Sequence, residues 1–522
     1  MLRPWVPNII VRAEGRGSLS LRIAQAIIEE IQRGRLAAGD SLPGTRDLAR
    51  DLSVNRKTVV QAYEELNAQG WVTTDERRGT FVARSIGETP ARSPDPEPAK
   101  AIAGPRGREV RPPLLWPPQG KVRFDDGAPD PRLIPATAIA QAYASGARAA
   151  ARQRLLCYGD PRGTEALRQS ISKMLNMTRG LNTTPDNICV TRGSQMALYV
   201  IAQCLVARDD TVIFEELTYP PAVQAFALAG ARIASARLTP EGIDLDHLED
   251  ICRHTRVRAI YLTPGHQFPT TVVLRPSARL RLRALAAQFG FVVIEDDYDH
   301  EFQFEHQPMF PLASNDTSGQ IVYVGSFSKI LSPSLRIGYV VGPTRIIEQI
   351  GNWIGTIDRQ GDPITELAIV ELIESGQLRR HIKRVHAIFD KRRETFAETL
   401  RAELGGHASF EMPTGGLAFW VRFPDSFDLE KLERQPGSPQ FLTSIQCAIG
   451  GRPKPAARLG FASLDAHEMA TTVAALKSAL KEAQNRAVTP SLRTEANANK
   501  PPNPAPKAKV VASGRKDDAV RE

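Results

Sequence analysis

Apolar positions along this chain follow two periods, and the change of period divides it. Near the amino end, Ala24, Ile27, Ile28 and Ile31 fall at i, i+3, i+4 and i+7, which predicts a helix with one buried face. Gly39-Asp40-Ser41-Leu42-Pro43 breaks the chain, residues 45–52 predict a second short helix, and Ser53-Val54-Asn55 the turn after it. A third helix runs from Arg56 to about Ala68, with Val59, Ala62, Tyr63 and Leu66 on its apolar side. Residues 71–74 and 79–83 flank Asp75-Glu76-Arg77-Arg78 as a hairpin. Helix, helix-turn-helix, hairpin is the order of an α+β winged helix-turn-helix domain.

Farther along, short apolar runs alternate with helical stretches. Residues 187–191, 211–215, 259–262, 291–295 and 321–324 predict buried strands; residues 195–206, 222–229 and 277–288 predict helices between them. That alternation predicts an α/β domain with a mostly parallel sheet covered on both faces. Residues 85–120 hold nine prolines and little periodicity, so they read as a Pro-rich linker. The end of the chain has Pro501, Pro502, Pro504 and Pro506 among Ala, Asn and Lys. The expected organisation is a DNA-binding domain at 15–84, a linker at 85–120, an α/β domain at 121–485 and a disordered basic tail at 486–522.

Composition narrows the class. A chain of 522 residues exceeds one ordinary core, and 42% hydrophobic with 24% charged residues is a globular balance. No apolar run reaches membrane-spanning length and no signal peptide is evident, so a cytoplasmic location is expected. Cys157, Cys189, Cys204, Cys252 and Cys447 are odd in number and scattered, which argues against disulfides or zinc and for buried reduced thiols. The net charge of +9 sits at the ends: residues 1–84 carry 13 Lys/Arg against 10 Asp/Glu and residues 486–522 carry 8 against 4, whereas residues 121–485 carry 41 against 40. A basic end suits nucleic acid, although solvated tails are often basic too.

In a helix-turn-helix the amino end of the last helix meets the major groove, and here it carries Asn55, Arg56, Lys57 and Thr58, with Arg46 one helix earlier. Arginine pairs bidentately with guanine, and Lys or Thr holds phosphates. Three features in the larger region suggest a different chemistry. Lys329 lies just past a predicted strand, in Gly325-Ser326-Phe327-Ser328-Lys329, with Arg336 seven residues on; such a lysine is able to form a Schiff base with an aldehyde. Glu295-Asp296-Asp297-Tyr298-Asp299 crowds carboxylates at a strand's carboxyl end, where one could keep a pyridine nitrogen protonated. A metal site is the minor reading, with only His300 nearby. Thr191-Arg192-Gly193-Ser194-Gln195 opens a helix and is a ready anion site. Each pattern is weak alone.

Together they carry a resemblance. Ser41-Leu42-Pro43-Gly44-Thr45-Arg46-Asp47-Leu48-Ala49, Val54-Asn55-Arg56-Lys57-Thr58-Val59-Val60-Gln61-Ala62-Tyr63 and Arg78-Gly79-Thr80-Phe81-Val82 resemble the signatures of the GntR-type winged helix over residues 18–84. From about Lys121 to Lys481 the chain resembles fold-type I pyridoxal-phosphate enzymes. The motifs are Tyr158-Gly159-Asp160-Pro161-Arg162-Gly163 with Leu167-Arg168, Thr263-Pro264-Gly265-His266-Gln267-Phe268-Pro269-Thr270, residues 295–302, and residues 325–339. The combination resembles the MocR/GabR-type regulators.

The resemblance implies double-stranded DNA as partner, contacted by Arg46, Asn55, Arg56, Lys57 and Thr58 with Gly79 at the wing. It implies pyridoxal 5'-phosphate as cofactor, held by Lys329 as a Schiff base. Asp296, in preference to Asp297, would pair with the ring nitrogen and Tyr298 with the ring hydroxyl. Ser194, Gln195, Ser326, Ser328 and Arg336 would hold the phosphate, Tyr219 would stack on the ring, and Tyr158 would reach in from a second subunit of a homodimer. Arg458 resembles the arginine that clamps an amino acid's carboxylate, so an amino-acid-like effector is expected. Thr271 stands where the family usually has glycine, and Pro221 where some members have a ligand-binding arginine. The implied function is a regulator that senses an amino compound; an active aminotransferase carrying a DNA-binding domain, or a repressor whose large domain only dimerises, are the rivals.

Overall fold

The protein is described here by a computed structural model covering residues 9, 11, 18–75, 79–84, 123–305, 309–314 and 316–498, with side chains to residue 485. It divides into two compact units, Met1–Glu109 and Val110–Glu522. The predicted linker, the hairpin tip at 76–78 and residues 499–522 lie outside the described residues.

In the first unit, α1 (Leu19–Gln32) starts where the Ser18 hydroxyl accepts from the Leu21 amide, and it buries Ile23, Ala24, Ile27, Ile28 and Ile31. Each such isoleucine stabilises the fold by about 1.5–3 kcal/mol relative to exposure. Helices α2 (Thr45–Asp51) and α3 (Arg56–Ala68) pack Leu48, Val59 and Leu66 onto that face, and strands β1 (Val72–Asp75) and β2 (Gly79–Val82) pair antiparallel beside them. The buried Tyr63 hydroxyl donates to the Pro43 carbonyl at 2.8 Å, tying α3 to the loop before α2. The predicted winged helix is present, with boundaries within about two residues.

In the second unit α4 (Ala136–Arg152) and α5 (Glu165–Arg179) precede β3 (Ile188–Thr191). Then come α6 (Ser194–Leu205), β4 (Thr211–Glu215), α7 (Pro220–Ala229), β5 (Arg232–Ala236) and a small ladder of β6 (Leu238–Thr239) with β7 (Gly242–Ile243). They are followed by α8 (Leu245–His254), β8 (Val257–Leu262), α9 (Pro276–Phe289), β9 (Val292–Asp297), β10 (Ile321–Ser326) and β11 (Gly338–Val341). The large sheet has the order β3-β11-β10-β9-β8-β4-β5, and β11 alone runs against the rest. Alternate strand residues cover its two faces. Val212, Phe214, Ile294 and Val322 pack with α6, α7 and α10 (Thr344–Ile357), whereas Ile213, Ile260, Val293 and Ile321 pack with α8 and α9.

The remaining chain forms α11 (Pro363–Glu374), α12 (Gln377–Leu404) and a smaller antiparallel sheet. That sheet contains β12 (Ser409–Phe410), β13 (Ala418–Arg422), β14 (Leu442–Thr443) and β15 (Ala456–Gly460), with short helices α13 (Leu429–Glu433) and α14 (Ser444–Cys447) between strands. Helix α15 (Ala466–Ala498) closes the unit and continues past residue 486, where composition predicts a disordered tail; it does so through Pro490, against local propensity. Burial of the cysteines is also only partly met. Cys189, Cys252 and Cys447 are buried, but Cys204 is half-buried and Cys157 is exposed, on the same surface loop as Tyr158. Among the described residues no helix is long and apolar enough to cross a membrane.

Candidate functional site

The carboxyl ends of β9 and β10 lie side by side, with Val324 opposite Asp296, which brings two of the three sequence patterns together. Strand alternation then sorts the acidic run. Glu295 and Asp297 share the face of Val293, and Asp296 shares the face of Ile294. Asp297 accepts from Arg179 at 2.5 Å and from the Tyr323 hydroxyl at 2.8 Å. Burial opposes its ionisation, yet Arg179, His300 and the Tyr323 bond hold its carboxyl well below the usual range. Among the described residues Asp296 accepts from the Tyr261 hydroxyl alone, at 2.9 Å, and its Oδ1 is buried without a partner. Burial pushes its carboxyl up to about 7. An orphaned, reluctant carboxylate of this kind suits an incoming cationic N–H.

Asp296 opens into a cavity shared with Lys329, Tyr298, Tyr219 and Ser194, five of the residues expected there. Lys329 lies in the turn after β10, with its Nζ 3.5 Å from Asp126 Oδ1. The Lys329 ammonium in turn holds the Asp126 carboxyl below its ordinary range. The buried Ser326 hydroxyl accepts from the Ser328 amide at 3.1 Å, which shapes that turn.

The third pattern meets this cavity at Ser194, whereas Thr191, Arg192 and Arg336 line a neighbouring one. No side chain caps α6, so the first amides of the helix, from Ser194 onward, have no acceptor within it. Gly193 precedes them at φ 78°, and a Cβ there would stand 2.8 Å from Arg336 Nη2. Arg336 is thereby pressed against the helix start, donating to the Arg192 carbonyl at 2.9 Å. Gln195 donates to the Pro221 carbonyl at 3.1 Å, and its own Oε1 is buried without a partner. Free amides with a guanidinium at one end, an orphaned carboxylate at the other and a primary amine between fit a phosphorylated pyridine aldehyde.

Tyr219, Phe268 and Tyr298 make an aromatic wall, with ring centroids 5.2 and 6.3 Å apart in edge-to-face pairs. The Tyr298 hydroxyl donates to the His266 carbonyl at 3.1 Å and accepts from Arg458 Nη2 at 3.3 Å. Arg458, on β15, is fully buried. Its Nε donates to the Asp126 carbonyl at 2.8 Å and its Nη1 to the Pro269 carbonyl at 2.9 Å, with the guanidinium over the Phe268 ring. Tyr158 lies elsewhere, 80% exposed, with the Arg359 guanidinium 4.8 Å from its ring centroid. Thr271 takes the left-handed conformation, φ 65°, in which glycine is at ease. Sequence reasoning missed Asp126, Tyr261, Thr263 and Phe268, all of which line the cavity. Period-two alternation on β8 was a usable signal for Tyr261; nothing in sequence marked Asp126.

In the first unit Arg46, Asn55, Arg56 and Lys57 are exposed and Thr58 is half-buried around the start of α3. The Asn55 carbonyl oxygen of the side chain accepts from the Lys57 amide at 2.9 Å, so it caps the helix. Arg56 Nε reaches Thr45 Oγ1 at 3.4 Å, and among the described residues Arg46, Arg56 and Lys57 make no ion pair. Gly79 opens β2 at φ 103°.

Residues 120–476 match the family described as Aminotransferase class I and II, and residues 19–82 the family described as Bacterial regulatory proteins, gntR family. Similar along nearly its whole length is the probable rhizopine catabolism regulatory protein MocR of Rhizobium meliloti, 28% identical over 90% of this chain and 94% of that protein. The HTH-type transcriptional regulator TauR of Rhodobacter capsulatus is 29% identical over 82% of this chain and 88% of its own. Among solved structures, a Pyrococcus horikoshii kynurenine aminotransferase in complex with PMP superposes with a TM-score of 0.65 at 27% identity, covering 69% of this chain and 91% of that one.

Proposed function

The chain belongs to the class I and II aminotransferase family and carries a gntR-family regulatory domain in front, and on that premise we propose that it is a DNA-binding transcription regulator that holds pyridoxal 5'-phosphate and answers to an amino compound. The observation that carries the cofactor reading is Asp296 Oδ1, buried without a partner in the cavity that also holds Lys329. When bound, the cofactor supplies an aldehyde that amines condense with and a ring that withdraws electrons. Lys329 would hold it covalently, Asp296 would keep a proton on its ring nitrogen, and Tyr298 would meet the ring hydroxyl. Ser194, Gln195, Ser326, Ser328 and Arg336 would take the phosphate, Tyr219 would stack on the ring, and Arg458 would fix the effector end through Tyr298 and the Asp126 backbone. The exposed Tyr158 suits a homodimer in which each copy completes the other's cavity.

The first unit would read double-stranded DNA in the cytoplasm through Arg46, Asn55, Arg56, Lys57 and Thr58, with Gly79 shaping the wing. Regulation requires the effector to bind two conformations unequally, not merely tightly. The test is direct. Purified with the vitamin supplied, the protein absorbs visible light, borohydride fixes the cofactor's mass on Lys329, and Lys329→Ala loses both signals. An unmodified Lys329 in such material defeats the proposal. The aminotransferase likeness also keeps an enzymatic reading alive. Sustained turnover with amino and keto acids would favour it, and a single stalled half-reaction the sensor.

A further inference from the structure

His266 and Asp299 stand in two of the sequence motifs, yet neither lines the cavity. Their side chains are 2% and 3% exposed, with His266 Nδ1 2.7 Å from Asp299 Oδ1. At the other edge of the ring, Nε2 lies 2.8 Å from Gln303 Oε1. The carboxylate and the amide oxygen are both acceptors, so both ring nitrogens donate and the ring is an imidazolium. Burial opposes that charge, yet Asp299, Gln303 and Asp297 hold the His266 pKa above the ordinary histidine value. The loop before β13 meets the pair with Gly415 and Gly416, which bring no charge. A Cβ on Gly415 would collide with the His266 ring, and one on Gly416 would stand 3.1 Å from Asp299 Oδ2, so glycine lets the backbone close over the pair. Among the described residues Asp299 Oδ2 is buried without a partner, which leaves the imidazolium to balance the carboxylate.

The consequence falls on the cavity wall. The His266 carbonyl accepts from the Tyr298 hydroxyl at 3.1 Å, and that hydroxyl accepts in turn from Arg458. A ring held by hydrogen bonds at both edges cannot turn without breaking one, so the backbone that carries it is held as well. We propose that His266 is a positioning residue: an imidazolium spanning Asp299 and Gln303 that fixes the carbonyl on which the Tyr298 hydroxyl rests, and so presets that hydroxyl for the cofactor's ring oxygen. The inference rests on the cofactor reading for Tyr298. Its pH dependence has a definite sign. A histidine whose pKa is raised keeps the device intact below the raised value and loses it as the pH climbs through that value.

The first arm of the test needs no cofactor. In the full chain with isotope-labelled histidine, magnetic resonance should find one imidazole protonated on both nitrogens at about pH 7.5, where an ordinary histidine is mostly neutral. That signal should vanish in His266→Gln. The second arm follows the pH at which the visible band of the cofactor-loaded protein changes. Tyr298→Phe should move that midpoint, and His266→Gln should move it the same way by about half as much or more. The double variant should move it no farther than Tyr298→Phe alone, because both act on one hydroxyl. Gln303→Leu leaves the Asp299 pair in place and carries the test should His266→Gln not fold; it should bring the loss of the doubly protonated signal, and the change in the band, to lower pH. A singly protonated His266 in the first arm overturns the inference. So do shifts that add, or a His266→Gln chain with the native band profile. Each of those outcomes leaves a coloured protein, so the cofactor reading stands. A chain that takes up no cofactor overturns that reading and the role of Tyr298 with it.

Discussion

Asp296 and Asp297 adjoin in sequence, yet they do opposite things because a strand sends neighbours to opposite faces. Asp297 is paired with a buried arginine, both side chains about 5% exposed or less. Asp297→Asn should therefore cost about 3–5 kcal/mol of stability, since Arg179 keeps its charge and loses its counter-ion. The pH dependence follows from sign. A carboxyl held below its usual range stabilises the fold fully above about pH 4 and ceases to as acid carries the pH down through the depressed value. Unfolding of the Asn variant, followed by denaturant at several pH values, should show a weaker loss in acid than the native chain. Thr271 offers a gain instead. A β-branched residue at φ 65° is strained, so Thr271→Gly should raise stability by about 1 kcal/mol, read from the unfolding midpoint. Residue positions were legible where a motif marked them: Lys329 lines the cavity and Arg336 lies at the start of α6. They were not for Asp126, whose significance exists only because β10 and the segment before α4 meet in space.

At the scale of elements, the apolar runs announced the buried strands to within two or three residues because burial on both faces demands continuous hydrophobicity. Two strands of the large sheet escaped, as did the short strands of the smaller sheet. Edge strand β5 begins with exposed Arg232 and carries no such run, and β11 starts at the end of the stretch whose motif drew attention to cofactor chemistry. Helix α15 outran expectation because proline-rich composition marks its end as a tail, while the helix runs on through Pro490. The junction of β3 with α6 gives this scale its prediction. Gly193→Ala would place a methyl 2.8 Å from the Arg336 guanidinium at a left-handed φ, so the arginine must leave the helix start. Affinity for pyridoxal 5'-phosphate should fall about tenfold or more, while affinity for pyridoxal lacking the phosphate changes little, as the visible band would report. Equal losses for both ligands would mean that the junction supports the cavity without holding a phosphate.

For the whole molecule the question is how a cavity in one compact unit affects DNA held by the other, and thermodynamics constrains the answer before any geometry does. If the effector changes operator affinity by some factor, the operator must change effector affinity by the same factor. Calorimetric titration of the cofactor-loaded protein with its effector, alone and with saturating operator DNA, should give a ratio of constants equal to that found when the DNA is titrated with and without effector. Coupling of this kind is typically about 5- to 150-fold. The charge distribution supplies the control. Arg56 and Lys57 start α3 and Arg46 starts α2, in a unit with a surplus of basic residues, so Lys57→Ala, if its ammonium meets a phosphate, should lower affinity for every DNA sequence and reduce the salt slope by about one, leaving the coupling ratio intact. Arg56→Ala should instead erase discrimination at one base position. A Lys57 variant that alters the coupling ratio would show that this helix end does more than hold DNA, and that the conformational change reaches into the reading head itself.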